Sequence, residues 1–212
     1  MKYALWDWNG TLFDDLDICR ETIDTLLKRH GIKPLVTIEK YRSVFCFPIT
    51  EFYKNAGFDL AQISFELLAR EYMEIYLPMS FDKTKCSLNK NALDVIKELN
   101  SRGFSQTIIS ASKTDILKRQ INNFGIENMF DEIFGIGDIY AKSKADIARN
   151  WKEKYTPQPT DAVFIGDSLH DSEVSEIIGC RCLLYDGGHQ KIPENDDKYE
   201  KITSLWEVTE KI

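Results

Sequence analysis

An aspartate closes the first apolar run of this chain: Tyr3-Ala4-Leu5-Trp6 leads directly into Asp7-Trp8-Asn9-Gly10-Thr11. A carboxylate at the rim of a buried strand, with Gly-Thr close behind it, suits a nucleophile. Ser110-Ala111-Ser112 follows a second such run, Lys142-Ser143-Lys144 a third, and Gly166-Asp167-Ser168-Leu169-His170-Asp171 a fourth. In open α/β sheets ligands collect beyond the carboxyl ends of the strands. Convergence there would join a carboxylate nucleophile, hydroxyl and backbone donors, a cation and an acidic pair. Such a set suits phosphoryl transfer, where catalysis is mostly positioning and neutralisation of charge.

Each residue also has a plainer role. Asn9-Gly10 is a common turn dipeptide, Ser110 could simply end its strand, and Asp167 or Asp171 could complement a helix dipole. Asp14-Asp15 reads as the cap of the helix that follows. In the third segment Lys144 is preferred to Lys142, because Ser143 before it suits the N-cap of a helix running to Trp151.

The elements that must position these residues are legible as alternating patterns. Five short apolar runs read as buried strands: Tyr3–Trp6, Gln106–Ile109, Glu132–Gly135, Ala162–Ile165 and Cys180–Tyr185. Helical spacing separates the later ones, as in Ala92-Leu93, Ile96 and Leu99 ahead of Gly103, or Ile116-Leu117, Ile121 and Phe124 ahead of Gly125. The alternation predicts an α/β fold, a parallel sheet of about five strands with helices on both faces. From Asp15 to Met79 no strand is evident. Ile18, Thr22, Leu26 and Leu27 form one helical stripe, and Phe65, Leu68, Tyr72, Ile75 and Tyr76 another before Leu77-Pro78. That block is too long for an ordinary crossover and predicts a helical insert over 15–79, with 1–14 and 80–212 as the core. The spacing of Tyr72 and Tyr76 assigns them to the interior of the insert. Pro193-Glu194-Asn195-Asp196-Asp197 reads as a surface loop.

A length of 212 residues can bury a good core, and 43% hydrophobic with 29% charged residues is ordinary for a soluble protein. The formal net charge of −7 disfavours nucleic acid and anionic membrane as partners. A small anionic substrate stays open, since a local cation overrides global charge. Five cysteines without Cys-x-x-Cys spacing read as reduced thiols in a cytoplasmic protein. Charged residues such as Lys2 and Asp7 interrupt the N-terminal stretch, so neither a signal peptide nor a membrane span is expected.

In order and context the four segments resemble the motifs of the haloacid dehalogenase superfamily, in the branch related to phosphoglycolate phosphatase. The resemblance implies a Rossmann-like core with a small helical cap after the first strand. It implies a magnesium-dependent phosphatase acting on a small phosphorylated metabolite. By it Asp7 forms an aspartyl-phosphate, Ser110 and the amide of Ala111 hold the phosphoryl oxygens, and Lys144 offsets their charge. Magnesium falls to Asp7, the carbonyl of Asn9 and Asp167, with Asp171 bridging through water or pairing with Lys144. The cap places substrate contacts near Tyr41-Arg42 and Phe45–Pro48, where Arg42 could grip an anionic group.

The chain departs from that pattern at Asn9, where the family carries a second aspartate that moves the proton. An amide cannot serve as acid or base, and general acid–base catalysis is worth roughly 10²–10⁴-fold, or about 3–5.5 kcal/mol of barrier. Aryl or acyl phosphates, whose leaving groups need no proton, should suffer least. His170 and His189 follow the fourth and fifth strands and are available as substitute bases. Two rivals follow: a phosphonatase-like enzyme using Lys33, Lys40 or Lys54 for a Schiff base, and a weakened family member with a binding or regulatory role.

Overall fold

The computed structural model describes residues 2–140, 144–155, 158, 161–193 and 199–212. Strand β1 (Tyr3–Trp6) is followed by a two-residue strand β2 (Phe13–Asp14) and four helices, α1 (Leu16–Arg29), α2 (Ile38–Val44), α3 (Ile49–Ala56) and α4 (Phe65–Ser80). After β3 (Ser87–Leu88) and α5 (Ala92–Ser101), strands and helices alternate: β4 (Ser105–Lys113), α6 (Thr114–Phe124), β5 (Glu132–Ile136), α7 (Ala145–Tyr155), β6 (Ala162–Gly166), α8 (Leu169–Ile178) and β7 (Arg181–Tyr185). A short β8 (Glu200–Ile202) and α9 (Glu207–Lys211) follow.

The main sheet is parallel, in the order β5-β4-β1-β6-β7-β8. It has six strands where the sequence predicts about five. The addition, β8, is a three-residue edge strand, Glu-Lys-Ile, whose polar composition carries no apolar run. Successive side chains of a strand point to opposite faces, and both faces here are covered. Leu5, Ile109 and Phe164 pack against α7 and α8 through Ala148, Trp151, Val174 and Ile178. Ala4, Trp6, Ile108, Val163 and Ile165 pack toward α5, α6 and α9 through Val95, Leu99, Leu117, Ile121 and Val208.

Strand order reverses at β1, which lies between β4 and β6. The crevice at such a switch point is where a ligand settles. Asp7 and Asp167 directly follow β1 and β6, and Ser110 lies in the carboxyl-terminal half of β4. The segment between β2 and β3 is helical, and both its ends are stitched together by an antiparallel pairing of Phe13 with Leu88 and Asp14 with Ser87. Helix α4 runs through Pro78 to Ser80 instead of stopping before it. Ser143, Lys142 and residues 194–197 of the loop expected near Pro193 lie outside the described residues.

Candidate active site

Asp7 continues β1 by one residue, its amide donating to Ile165 of β6 at 2.8 Å, and its side chain is buried. Lys144, at the start of α7, reaches it with Nζ 2.6 Å from Asp7 Oδ1 and 2.6 Å from Asp171 Oδ1. The ammonium is 2% exposed, and against that burial Asp171 and Asp7 hold its pKa above the ordinary lysine value. Burial pushes the Asp7 carboxyl well above the usual range against the pull of Lys144, and the neighbouring carboxylates Asp171 and Asp167 push it the same way as burial.

Asp171 is spoken for on both oxygens. Oδ1 takes Lys144, while Oδ2 accepts from the amides of Asp167 and Ser168 and from Ser168 Oγ at 2.7–3.1 Å. This is a capping box that starts α8. Burial raises Asp171, but Lys144 and Ser168 outweigh it and hold the carboxyl below its usual value. Of the two places open to Asp171, bridging to a metal through water or pairing with Lys144, its side chain takes the pairing. Gly166 permits this, because a Cβ there would collide with the Asp171 carboxyl group.

Asp167 accepts from Thr11 Oγ1 at 3.2 Å and from the His189 amide at 2.6 Å. Burial and Asp171 raise its carboxyl, against the pull of His189. Gly10, at φ +74°, lets the first motif's turn lie against Asp167, where any side chain would clash. Carboxylate oxygens of Asp7, Asp167 and Asp171 lie within 4.8 Å of one another. Three carboxylates face one ammonium, so the ionised cluster is left with surplus negative charge. Hard oxygen donors with that surplus fit a divalent cation such as magnesium. Asp7, Asp167 and the backbone carbonyl of Asn9 are the groups that could hold it.

Asn9 is locked by its amide. Nδ2 donates to Asp15 Oδ2 at 2.7 Å and to Tyr76 OH at 3.0 Å, and Oδ1 accepts from Ser112 Oγ at 2.6 Å. Asp15 stands at the N-cap of α1 without capping it. Its buried carboxylate instead takes the Gly10 amide, Tyr76 OH and His189 Nε2 at 2.8–3.1 Å. Against burial, His189 and these donors hold Asp15 below its usual value. His189 is likewise buried, yet Asp15, with Asp167 and Asp7, pushes it up to about 9. As an imidazolium it donates to Asp15 from Nε2 and to Tyr41 OH from Nδ1, at 3.0 Å each, with Phe45 stacked on its ring.

The other expected residues divide. Ser110 is buried, its Oγ accepting from the Ser112 amide at 3.1 Å, and β4 slips its register against β5 between Ile109 and Lys113. That bulge re-aims Ser110 and Ala111 at the crevice. A cavity of about 170 Å³ joins Asp7, Asn9, Ser110, Ala111, Lys144 and Asp167 to the aromatic side chains of α2–α4. Arg42 does not line it. Its Nη2 donates to Asp186 Oδ1 and O at 2.9 Å and to Gln190 O at 3.1 Å, so its charge is used in holding α2 to the loop after β7. His170 also points elsewhere, paired with Glu173 and stacked on Phe47. Lys33, Lys40 and Lys54 are exposed and outside the cavity. Sequence reasoning missed Asp15 and Tyr76; an acid six residues beyond Asn9 was the available signal.

Comparison with known proteins bears on the family and the fold. Residues 4–185 match the family model described as haloacid dehalogenase-like hydrolase. The chain is 30% identical over 197 residues to a phosphoglycolate phosphatase of Vibrio vulnificus, covering 85% of this chain and 81% of that one. Among solved structures it resembles a haloacid dehalogenase-like hydrolase of Streptococcus pneumoniae, at a TM-score of 0.81 and 21% identity over 100% of this chain and 98% of that one. It also resembles CbbY of Rhodobacter sphaeroides, solved in complex with phosphate, at a TM-score of 0.73 and 21% identity over 98% and 96%. With its motifs gathered on one sheet edge and the family model spanning most of its length, the chain belongs to the haloacid dehalogenase-like hydrolases.

Proposed function

We propose that the protein is a magnesium-dependent phosphoric monoester hydrolase acting on a small phosphorylated metabolite through an aspartyl-phosphate on Asp7. The observation that carries this reading is the shared cavity, in which a buried carboxylate, its paired lysine and the Ser110–Ala111 bulge face the same space. In the first step an Asp7 oxygen bonds to phosphorus while the ester oxygen leaves with the bonding electrons. In the second, water attacks phosphorus and Asp7 is released with inorganic phosphate. Ser110 and the Ala111 amide hold the phosphoryl oxygens, and Lys144 fixes Asp7 while offsetting their charge. Bound magnesium would supply further neutralisation at the Asp7–Asp167 oxygens.

Residues 15–79 act in this reading as a cap that excludes water from the 1–14 and 80–212 core. Five free cysteines and the absence of a membrane-length apolar helix among the described residues accord with a cytoplasmic enzyme. A phosphonatase-like reaction is disfavoured, since Lys33, Lys40 and Lys54 all stand away from the cavity. The test is release of phosphate from a panel of phosphate esters, with and without magnesium. Turnover that requires magnesium and vanishes in Asp7→Asn supports the assignment. Turnover that survives Asp7→Asn refutes it and leaves a binding role for the fold.

A further inference from the structure

Beside the catalytic groups the cavity is walled by Phe45, Phe52, Phe65, Tyr72 and Met73, side chains that carry no charge. On α4, Phe65, Ala69, Tyr72, Met73 and Tyr76 recur at helical spacing, so one face of that helix lines the space. The polar tips nearest the nucleophile are engaged within the protein, Tyr76 OH on Asp15 and Tyr41 OH on His189. Among the described residues no cation of the helical insert reaches the cavity, and Arg42 is turned away onto Asp186. Lys113 sits at the half-exposed rim of the cavity, 3.0 Å from Asp115.

Resting on the phosphatase reading above, we infer that the substrate is a phosphate monoester whose leaving group is an uncharged aromatic or similarly apolar alcohol, seated between Phe45, Phe65 and Met73. The cations that do line the cavity are each paired already, His189 with Asp15, Lys144 with Asp7 and Asp171, and Lys113 with Asp115. A carboxylate or second phosphate carried into this wall would therefore lose its water without gaining an unpaired cation, which opposes binding. The size sets an upper limit: the whole cavity, its phosphoryl end included, is about 170 Å³, little more than the roughly 150 Å³ of a void that holds benzene, so the leaving group is no larger than a single ring. The inference also agrees with Asn9. When Asp7 takes the phosphoryl group from an aryl ester, the P–O bond breaks and its electrons leave on a phenoxide, which needs no proton from position 9.

The test separates charge from leaving-group quality. Phenyl phosphate and 4-carboxyphenyl phosphate share a ring and an aryl oxygen and differ by one distal charge. Phenyl phosphate is expected to show kcat/KM at least tenfold higher, and benzyl phosphate to exceed phosphoglycolate by a similar factor. Met73→Lys, at a half-buried position, should narrow or invert both ratios, and Phe65→Ala should raise KM for phenyl phosphate. In Asp7→Asn, calorimetry should show phenylphosphonate binding more tightly than phosphonoacetate. Equal turnover within each pair, or ratios unmoved by Met73→Lys, overturns the inference while leaving the phosphatase reading intact. Absence of Asp7-dependent turnover on every ester, with no binding preference in Asp7→Asn, overturns both.

Discussion

Asn9 and Asp15 are held as a donor–acceptor pair, and this changes what a reversion at position 9 would do. Asn9→Asp puts a second carboxylate 2.7 Å from Asp15 Oδ2 and removes the hydrogens that Asp15 and Tyr76 now receive. Like charges so close disfavour joint ionisation. Asn9→Asp alone is therefore expected to lower the melting temperature and to raise alkyl phosphate hydrolysis only weakly. The exchange Asn9→Asp with Asp15→Asn restores one donor and one acceptor and should recover the lost stability. Thermal melts of the single and double variants, alongside turnover of an alkyl phosphate, decide the point; a single variant as stable as the parent would sink it. Lys144→Met tests the neighbouring cluster. Leaving Asp7 and Asp171 buried without their ammonium should cost about 3–5 kcal/mol, read as a shifted urea midpoint.

At the scale of elements, α2 and the loop after β7 act as one clasp. Adjacent residues of α2 hold it twice, Tyr41 on the His189 ring and Arg42 on Asp186 and Gln190, and Phe45 covers the histidine from the next turn. Arg42→Ala removes a charge-assisted contact that spans the helical insert and the core, worth roughly 1.5–3 kcal/mol. Faster amide exchange across residues 38–44 and 186–192 is expected, with KM rising more than kcat falls. Exchange unchanged in both segments would show that Phe45 and Tyr41 suffice. The sequence displayed Arg42 but not its direction, because its partners lie 144 and 148 residues away. The same distance hid the Asp15 network, whose bonds to Tyr76 and His189 span 61 and 174 residues. Helical spacing assigned Tyr72 and Tyr76 to the interior of the insert; the Tyr76 ring is buried, yet both side chains line the cavity, which lies inside the insert's own aromatic cluster.

For the molecule as a whole, local pattern and topology were readable together. Buried parallel strands are continuous apolar runs, so their carboxyl ends, and the residues placed there, could be found by reading along the chain. β8 escaped because an edge strand of Glu-Lys-Ile has no such signature. The ion pair of His189 with Asp15 adds a global property. A folded-state pKa of about 9 against an ordinary 6.5 means that the pair's stabilisation is complete below about pH 6.5 and is lost as pH rises through 9. That shift corresponds to about 3 kcal/mol. Urea unfolding between pH 6 and 10 should show the decline in the parent protein and a flatter profile in His189→Gln; parallel profiles would contradict it.

The two-residue ribbon of Phe13–Asp14 against Ser87–Leu88 carries a consequence for modular design. Chain leaves and re-enters through neighbouring strands, about 5 Å apart at paired residues. Everything between is thus a parenthesis in the chain, removable at one seam without altering the strand order of the main sheet. Asn89 guards that seam from the far side, its amide bonded to the carbonyls of Gly10 and Thr11. A graft exchanging 15–86 for another helical segment would keep Asp7, Ser110, Lys144 and Asp167 in register. It would discard Asp15, Tyr41 and Tyr76, so both ring nitrogens of His189 would lose their partners and the Asn9 amide would be held by Ser112 alone.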